Sequence, residues 1–293
     1  MSWLLVSLLL LVHEAGLKTL DTQDGGLHAR VQKLIDGSAA DVAVAFETLD
    51  GRQSLSIDPD ESFHAASTMK VPVMIELFHQ AAAGTLSLDE PLPVTNDFHS
   101  IVDGSVYHLN VGDDSDAEVY RAVGTTMTLR QLCEAMITVS SNFAANLLIE
   151  RLGAKNIQAT TDRLGATGMH VLRGVEDQKA FDAGMNNTTT AQALKVLLMK
   201  LAAGHAVRPS ADAEMVAILK RQQFHDAIPA GLPDGTVVAH KTGNITKIHH
   251  DAAIVYGKRP YVLVVLVRGI EDEKKSAALI ASISREVWNQ TER

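Results

Sequence analysis

Apolar residues follow one rhythm at the two ends of this chain and another between them. Early on, Val42-Ala43-Val44-Ala45-Phe46-Glu47-Thr48 is a β-prone run, Asp50-Gly51 is a hairpin turn, and Ser54-Leu55-Ser56-Ile57 answers as the second strand. Late on, Val237 to Thr242, Ala252 to Tyr256 and Tyr261 to Val267 read as strands, with Gly257-Lys258-Arg259-Pro260 as a tight turn between the last two. Between these ends the apolar positions recur every three or four residues. Helices are expected from the Ser67 stretch to about Ala83, from Thr128 to about Thr138, through Ala144, Leu147, Leu148 and Leu152, over residues 155–165, through Leu194 to Leu201, and from about Ala211 to Gln222. Two more flank the strands, Leu27 to Ile35 and Glu273 to Trp288. Leu86 to Leu92 and Val171 to Asn187 read as loops, and residues 94–127 show no clear period. Strands at both ends with helices between predict an α/β (α+β) body split by a helical insertion. Residues 27–62 and 206–293 form the α/β domain, and residues 63–205 the helical one.

Composition narrows the picture. The 293 residues, 46% of them hydrophobic, suffice for a sizeable core, and the low aromatic share of 4% leaves Ala, Leu and Val to fill it. A formal net charge of −9 disfavours nucleic acid and anionic membrane surfaces as partners. The single cysteine, Cys133, cannot form an internal disulfide and reads as a buried thiol. Trp3 to Val12 is apolar but too short to span a bilayer, and it fits the core of a secretory signal. No Lys or Arg precedes it, and no Ala-x-Ala follows. Residues 1–26 are expected to be signal and linker, the mature chain periplasmic or secreted, with no stable membrane span after processing.

The chemistry gathers at Ser67-Thr68-Met69-Lys70. Residues three apart share a helix face. A serine hydroxyl becomes a nucleophile only when a base takes its proton. A lysine can be that base where burial favours its neutral form. Taken by itself, this spacing also fits a Ser cap followed by an exposed lysine. Two further groups follow in order, Ser140-Ser141-Asn142 and Lys241-Thr242-Gly243. The set Ser-x-x-Lys, Ser-x-Asn and Lys-Thr-Gly resembles the signature of class A β-lactamases and penicillin-binding proteins. The likeness extends into Phe143-Ala144-Ala145-Asn146-Leu147-Leu148, Gly84-Thr85-Leu86-Ser87-Leu88-Asp89 and Val238-Ala239-His240, and covers roughly residues 27–290.

The resemblance implies a β-lactamase/DD-peptidase-like fold, an antiparallel sheet from both chain ends flanked by helices, with an inserted all-helical domain. It implies Ser67 as nucleophile, Lys70 as its base, and Ser140 as proton carrier to the leaving nitrogen. Asn142 would bond Lys70 or the substrate amide. Lys241 and Thr242 would receive a substrate carboxylate, and Gly243 would let substrate approach the strand. The backbone amides of Ser67 and Asn244 would form the oxyanion site. The chain departs from the family in three places. Ser141 stands where class A enzymes usually have Asp. Glu176 is the candidate for the deacylating carboxylate, with Asp177 as runner-up, but four residues on lies Ala180 rather than Asn. The position of a carboxylate-binding Arg falls at His250. The rival reading of Glu176 and Asp177 pairs them with Arg173 or Lys179 to brace the loop.

No metal-ligand spacing occurs among the twelve histidines, and the acidic run Asp113-Asp114-Ser115-Asp116 reads as a solvated loop, so no metal or other cofactor is expected. Absence of Gly-x-Ser-x-Gly removes the α/β-hydrolase reading. The expected function is a serine hydrolase opening β-lactam rings through a Ser67 acyl-enzyme. A peptidoglycan DD-peptidase, amidase or esterase, or a penicilloyl-binding sensor that stays acylated, are the alternatives. A small-molecule β-lactam or peptidoglycan-like substrate and a monomeric state complete the expectation.

Overall fold

The computed structural model describes residues 25–293, so the expected signal segment lies outside the described residues. Five strands form one antiparallel sheet. They are β1 (Asp41–Thr48), β2 (Ser54–Ile57), β3 (Val237–Ile245), β4 (Ile248–Tyr256) and β5 (Tyr261–Arg268), in the spatial order β2-β1-β5-β4-β3. The two ends of the chain meet where β1 pairs with β5, Ala45 opposite Val264. Val42 to Phe46 are all buried although they alternate in direction, because both faces of the sheet are covered. Val42, Val44 and Phe46 face α1 (Gly25–Asp36) and the closing helix, Glu273–Thr291. Ala43 and Ala45 belong to the larger core on the other face, where small side chains let helices lie close.

That larger core is helical. Its centre is α2 (Lys70–Ala82), in which every residue from Lys70 to Phe78 is buried. A helix covered all round belongs inside a bundle. Around it lie α3 (Leu129–Thr138), α4 (Asn142–Leu152), α5 (Ala154–Leu164), α7 (Ala191–Ala202) and α8 (Pro209–Leu219), with the short α6 (Gln178–Asp182) between α5 and α7 and the closing helix as α9 (Glu273–Thr291). Cys133 lies here fully buried, and desolvation pushes its thiol up to about 12, leaving it an inert apolar filler.

The structure moves several expected boundaries. β3 runs past Gly243 to Ile245, and β4 begins at Ile248 rather than Ala252. The two continue because each supplies the other's ladder, Ile248 opposite Ile245. Tertiary pairing here overrides the weak strand preference of Asn244 and His249. The loop 171–187 contains α6, whose N-cap Asp177 accepts from the Ala180 amide. Pro91–Pro93, which begins within the expected loop Leu86–Leu92, pairs with Thr126–Thr128. Residues 94–127 hold a small hairpin, Phe98–His99 against Val106–Tyr107, and a single helical turn at Glu118–Arg121. Ser67 lies in a 3-10 turn, Ala66–Met69, and the α-helix proper starts at Lys70. No described helix is long and apolar enough to cross a membrane.

Candidate active site

Three segments with the backbone in the left-handed region meet at one cleft. Ala66 (φ 44°) precedes the Ser67 turn, Ser140 (φ 60°) ends the connection into α4, and Glu176 (φ 62°) lies in the 171–187 loop. Such conformations cost of order 1–3 kcal/mol each and persist where surrounding contacts impose them.

The contacts converge on Lys70. Its Nζ lies 3.0 Å from Ser67 Oγ, 2.6 Å from the Ser140 carbonyl oxygen, 2.7 Å from Asn142 Oδ1 and 3.3 Å from Ser140 Oγ. The residue is fully buried, and desolvation lowers its pKa to about 7, with Asp114 and Glu176 pulling in the other direction. Near neutral pH a large fraction of Lys70 is therefore an uncharged amine, able to accept the Ser67 proton. Lys241, also fully buried, donates to Ser140 Oγ at 2.9 Å and to the Thr242 carbonyl at 2.8 Å. Burial holds its pKa well below the usual lysine value, Lys70 adds to that, and Asp251 opposes it. The Ser140 hydroxyl is thus shared between two buried amines. That is a relay able to carry a proton from one side of the cleft to the other.

Gly243 has a reason for being glycine that the sequence did not supply. A Cβ there would lie 3.1 Å from the Ser67 amide nitrogen and 3.2 Å from both Ala66 Cβ and Thr68 Cγ2. The close approach is made by the nucleophile's own turn, in addition to any substrate. It sets β3 hard against Ser67 and leaves Asn244, the next residue, on the cleft wall.

Across the cleft, Glu176 Oε1 accepts from Asn142 Nδ2 at 2.8 Å. Asn142 therefore joins Lys70 on its oxygen side to Glu176 on its nitrogen side. Desolvation raises the Glu176 pKa, the Asn142 bond lowers it, and the charges of Asp114 and Asp113 raise it further. Neither Arg173 nor Lys179 pairs with Glu176. Arg173 donates to the Met185 and Gly174 carbonyls and to Asn186 Oδ1, and Lys179 binds Asp103. Asp177 is buried and holds the Ile101 and Ala180 amides, a bracing part. Ala180 is fully buried.

Sequence reading missed three supports. Asp114 accepts from the amides of Asn142 (3.0 Å) and Phe143 (2.9 Å), capping α4 below the Lys70 contact. The acidic run is thus partly structural, not simply a solvated loop. Asn146 grips both backbone groups of Val175, donating to its carbonyl at 3.0 Å and accepting from its amide at 2.7 Å. The Tyr107 hydroxyl donates to the same carbonyl. Asn146 stands four residues after Asn142, on the same helix face, and that spacing was the available signal. Ser141, where Asp was usual, is buried and caps α4 by accepting from the Ala144 amide.

His250 lies outside the cleft. It is fully buried, donates from Nε2 to the His64 carbonyl at 3.0 Å and accepts on Nδ1 from the Val267 amide at 3.2 Å. Desolvation pushes its pKa down to about 4. Its register opposite Gly243 turns it into the helical side, whereas its neighbour His249, opposite Asn244, lines the cleft. The expected role at residue 250 fails because strand alternation puts consecutive residues on opposite faces. The cleft divides at Ser67 into a cavity of about 360 Å³ towards Glu176 and Phe181 and one of about 370 Å³ towards Ser140 and Thr242. Among the described residues no cluster of His, Cys, Asp and Glu is arranged to hold a metal ion.

Residues 26–291 match the sequence model of the β-lactamase enzyme family, and the chain belongs to that family. It is 30% identical over 250 residues to β-lactamase AST-1 of Nocardia asteroides, covering 83% of this chain and 76% of that protein. It is 28% identical over 242 residues to a β-lactamase of Bacillus licheniformis, covering 80% and 74%. A mutant of PBP-A, solved as an acyl-enzyme complex with penicillin G, superposes with a TM-score of 0.81 at 26% identity, covering 92% of this chain and 97% of the other. The fold is that of the β-lactamases and their penicillin-binding relatives, and the chain is a serine hydrolase of that class.

Proposed function

We propose that this protein is a serine β-lactamase that acylates on Ser67 and releases the product through Glu176. The observation that carries the reading is the unbroken chain Ser67–Lys70–Asn142–Glu176, in which one asparagine bonds both the acylation base and the candidate deacylation base. The neutral Lys70 amine takes the Ser67 proton as Oγ attacks the lactam carbonyl. The Ser67 and Asn244 amides receive the developing oxyanion. The ring C–N bond breaks, and Ser140 gives its proton to the departing nitrogen and is reprotonated from the Lys70–Lys241 pair. Thr242, with Lys241 behind it, receives the substrate carboxylate. Glu176 then takes a proton from water, whose oxygen attacks the acyl carbonyl; the ester C–O bond breaks, a proton passes to Ser67 Oγ through Lys70, and Glu176 gives up the one it took. We read residues 27–62 and 206–293 as the α/β body and 63–205 as the helical insertion, with the cleft at their junction. The chain is read as an exported monomer.

A second reading, a penicillin-binding peptidase that keeps its acyl group, draws support from Ala180. A buried methyl group stands where class A enzymes carry Asn, so among the described residues only Asn142 bonds the Glu176 carboxylate. A chromogenic cephalosporin, followed by colour and by intact mass, separates the two. Steady turnover abolished in Ser67→Ala is the expected result. A single burst with a lasting adduct would move the assignment to the second reading, and no adduct with no turnover would sink both.

A further inference from the structure

Two histidines bracket the segment that leads into the nucleophile, and neither belongs to the Lys70 proton path. His64 lines the cavity towards Glu176, where its ring meets Phe181 edge to face. Its Nδ1 accepts from the Ala66 amide at 3.1 Å. A backbone N–H only donates, so this nitrogen is the bare one and the ring proton sits on Nε2. Desolvation, with the charge of Arg173 adding to it, lowers the His64 pKa and keeps the acceptor bare near neutral pH. His250 obeys the same rule. The Val267 amide donates to its Nδ1 at 3.2 Å, and its Nε2–H donates to the His64 carbonyl at 3.0 Å. Hydrogen bonds running from β5 through His250 and His64 thus end on the amide of Ala66.

Ala66 is the residue that needs such a hold. Its φ of 44° is a conformation that a side chain with a Cβ adopts only under constraint. The peptide unit before it is gripped at both ends. The Ala65 carbonyl accepts from Thr68 Oγ1 at 2.6 Å and from the Thr68 amide at 3.1 Å, while the Ala66 N–H goes to the His64 ring. The next peptide unit carries the Ser67 N–H. Because each peptide is planar, the φ and ψ of Ala66 alone decide where that N–H points. Without the ring acceptor one end of the Ala65–Ala66 peptide is released, and Ala66 is free to relax and turn the Ser67 N–H off its line.

We propose that His64 is a positioning residue for the oxyanion site: its Nδ1 holds the Ala65–Ala66 peptide, so that Ala66 stays left-handed and the Ser67 amide stays aimed at the reacting carbonyl. His250 fixes the backbone of His64 from behind. The inference rests on Ser67 being the acylating residue. It gives the His64 ring no proton transfer and no contact with the reacting atoms.

An oxyanion forms when Ser67 attacks and again when water attacks, so a misaimed amide slows both steps. That separates His64 from Glu176, whose loss slows release alone. His64→Leu keeps bulk and removes the acceptor. Stopped-flow mixing with a β-lactam is expected to show its acylation and release rate constants both lower by about 10²-fold, while the dissociation constant of the first, non-covalent complex stays within about threefold. His64→Asn offers a side-chain oxygen able to accept from the amide two residues on, and is expected to restore both rates to within about fivefold of native. Nitrogen-15 spectra of histidine-labelled native protein read the tautomer without any substrate, the His64 signals being those lost in His64→Asn. A protonated Nε2 and a bare Nδ1 are expected. A proton on Nδ1 overturns the proposal. So does a His64→Leu protein that acylates at the native rate or loses release alone, or a His64→Asn protein as slow as His64→Leu. Should His64→Leu fail to fold, the tautomer and the His64→Asn rates decide. Absence of any adduct in the native protein sinks the Ser67 reading, and this proposal with it, whereas an adduct forming equally fast in native protein and His64→Leu sinks this proposal alone.

Discussion

Around Ser67, a 3-10 turn, two helices and a strand converge on two buried amines, whereas across the cleft Glu176 rides on a loop and its carboxylate accepts one hydrogen bond from Asn142. The Lys70 ammonium position meets oxygens from Ser67, Ser140 and Asn142. Lys241 adds a second hold on Ser140. Removing any one of these leaves the others in place. The Glu176 loop is pinned instead through its neighbours, Val175 by Asn146 and Asp177 by the Ile101 amide. The difference separates two demands. Attack needs a preset proton path through dry surroundings, while release needs a carboxylate beside water. The first tolerates little change, and the second is where lactamase and peptidase diverge.

The largest expected effect tests whether the two halves are separable. In Glu176→Gln, release of the acyl group should slow by about 10²–10⁴-fold. Acylation should change by less than about threefold, since Lys70 keeps its other contacts. Stopped-flow mixing with intact-mass detection reads both, and equal loss of the two rates would break the division. Next comes the pH profile of the acylation rate. Lys70 is a base only when uncharged, so the rate should rise with pH through about 7 and fall roughly tenfold per unit below it. A flat profile between pH 5 and 8 would assign the base elsewhere.

A third effect lies in stability on the strand side. His250 has a folded pKa of about 4 against an ordinary 6.5. Between those values the unfolded chain takes up a proton that the folded one refuses. Stability should therefore fall as pH drops from 6.5 to 4, by an amount approaching about 3 kcal/mol, and level off below that. Denaturant midpoints for the native protein and His250→Gln should converge at acid pH if His250 is the cause, and remain parallel if it is not. The smallest effect probes the hinge between the halves. Asp114→Ala frees the Asn142 and Phe143 amides at the start of α4, leaving the Ser141 cap, and should cost about 1–2 kcal/mol in thermal unfolding. Because Asp114 raises the Lys70 pKa, the acylation limb should also move to lower pH. A stability loss with an unmoved limb would make Asp114 a cap alone.

Much of this was readable in advance, and the rest failed for identifiable reasons. Strand runs with hairpin signals located the sheet, because Val42 to Phe46, Ala252 to Val255 and Tyr261 to Val267 are covered on both faces and so are continuously apolar. The Ser67, Ser140 and Lys241 groups were visible because their spacing is local. Their meeting at 2.6–3.3 Å was not, since it depends on β3 docking against the Ser67 turn. The roles of Asp114 and Asn146 escaped notice because each acts on the backbone of another segment, and the Asn142–Asn146 spacing marks a shared helix face without naming what that face holds. The His250 assignment came from the resemblance, which gave a position after the third motif but not the register of β4, and one step of register changes the face. Ala180 was visible as a departure, but its burial, which closes that position to a polar substitute, required the α6 turn.

The pairing of β1 with β5 also decides when this enzyme can exist. Ala45 waits for Val264, and Gly243 must arrive before the Ser67 turn is clamped. A nascent chain that has already emitted Ser67, Lys70, Ser140 and Glu176 still lacks the strand that completes their cleft. Loop closure over more than two hundred residues is slow compared with local helix formation. The helical segment can therefore collapse early while the sheet stays open, leaving a long interval in which the polypeptide is inactive. Activity appears only with the last strands, so a trace of colour from a lactam reporter marks the completion of the whole chain rather than the emergence of its nucleophile.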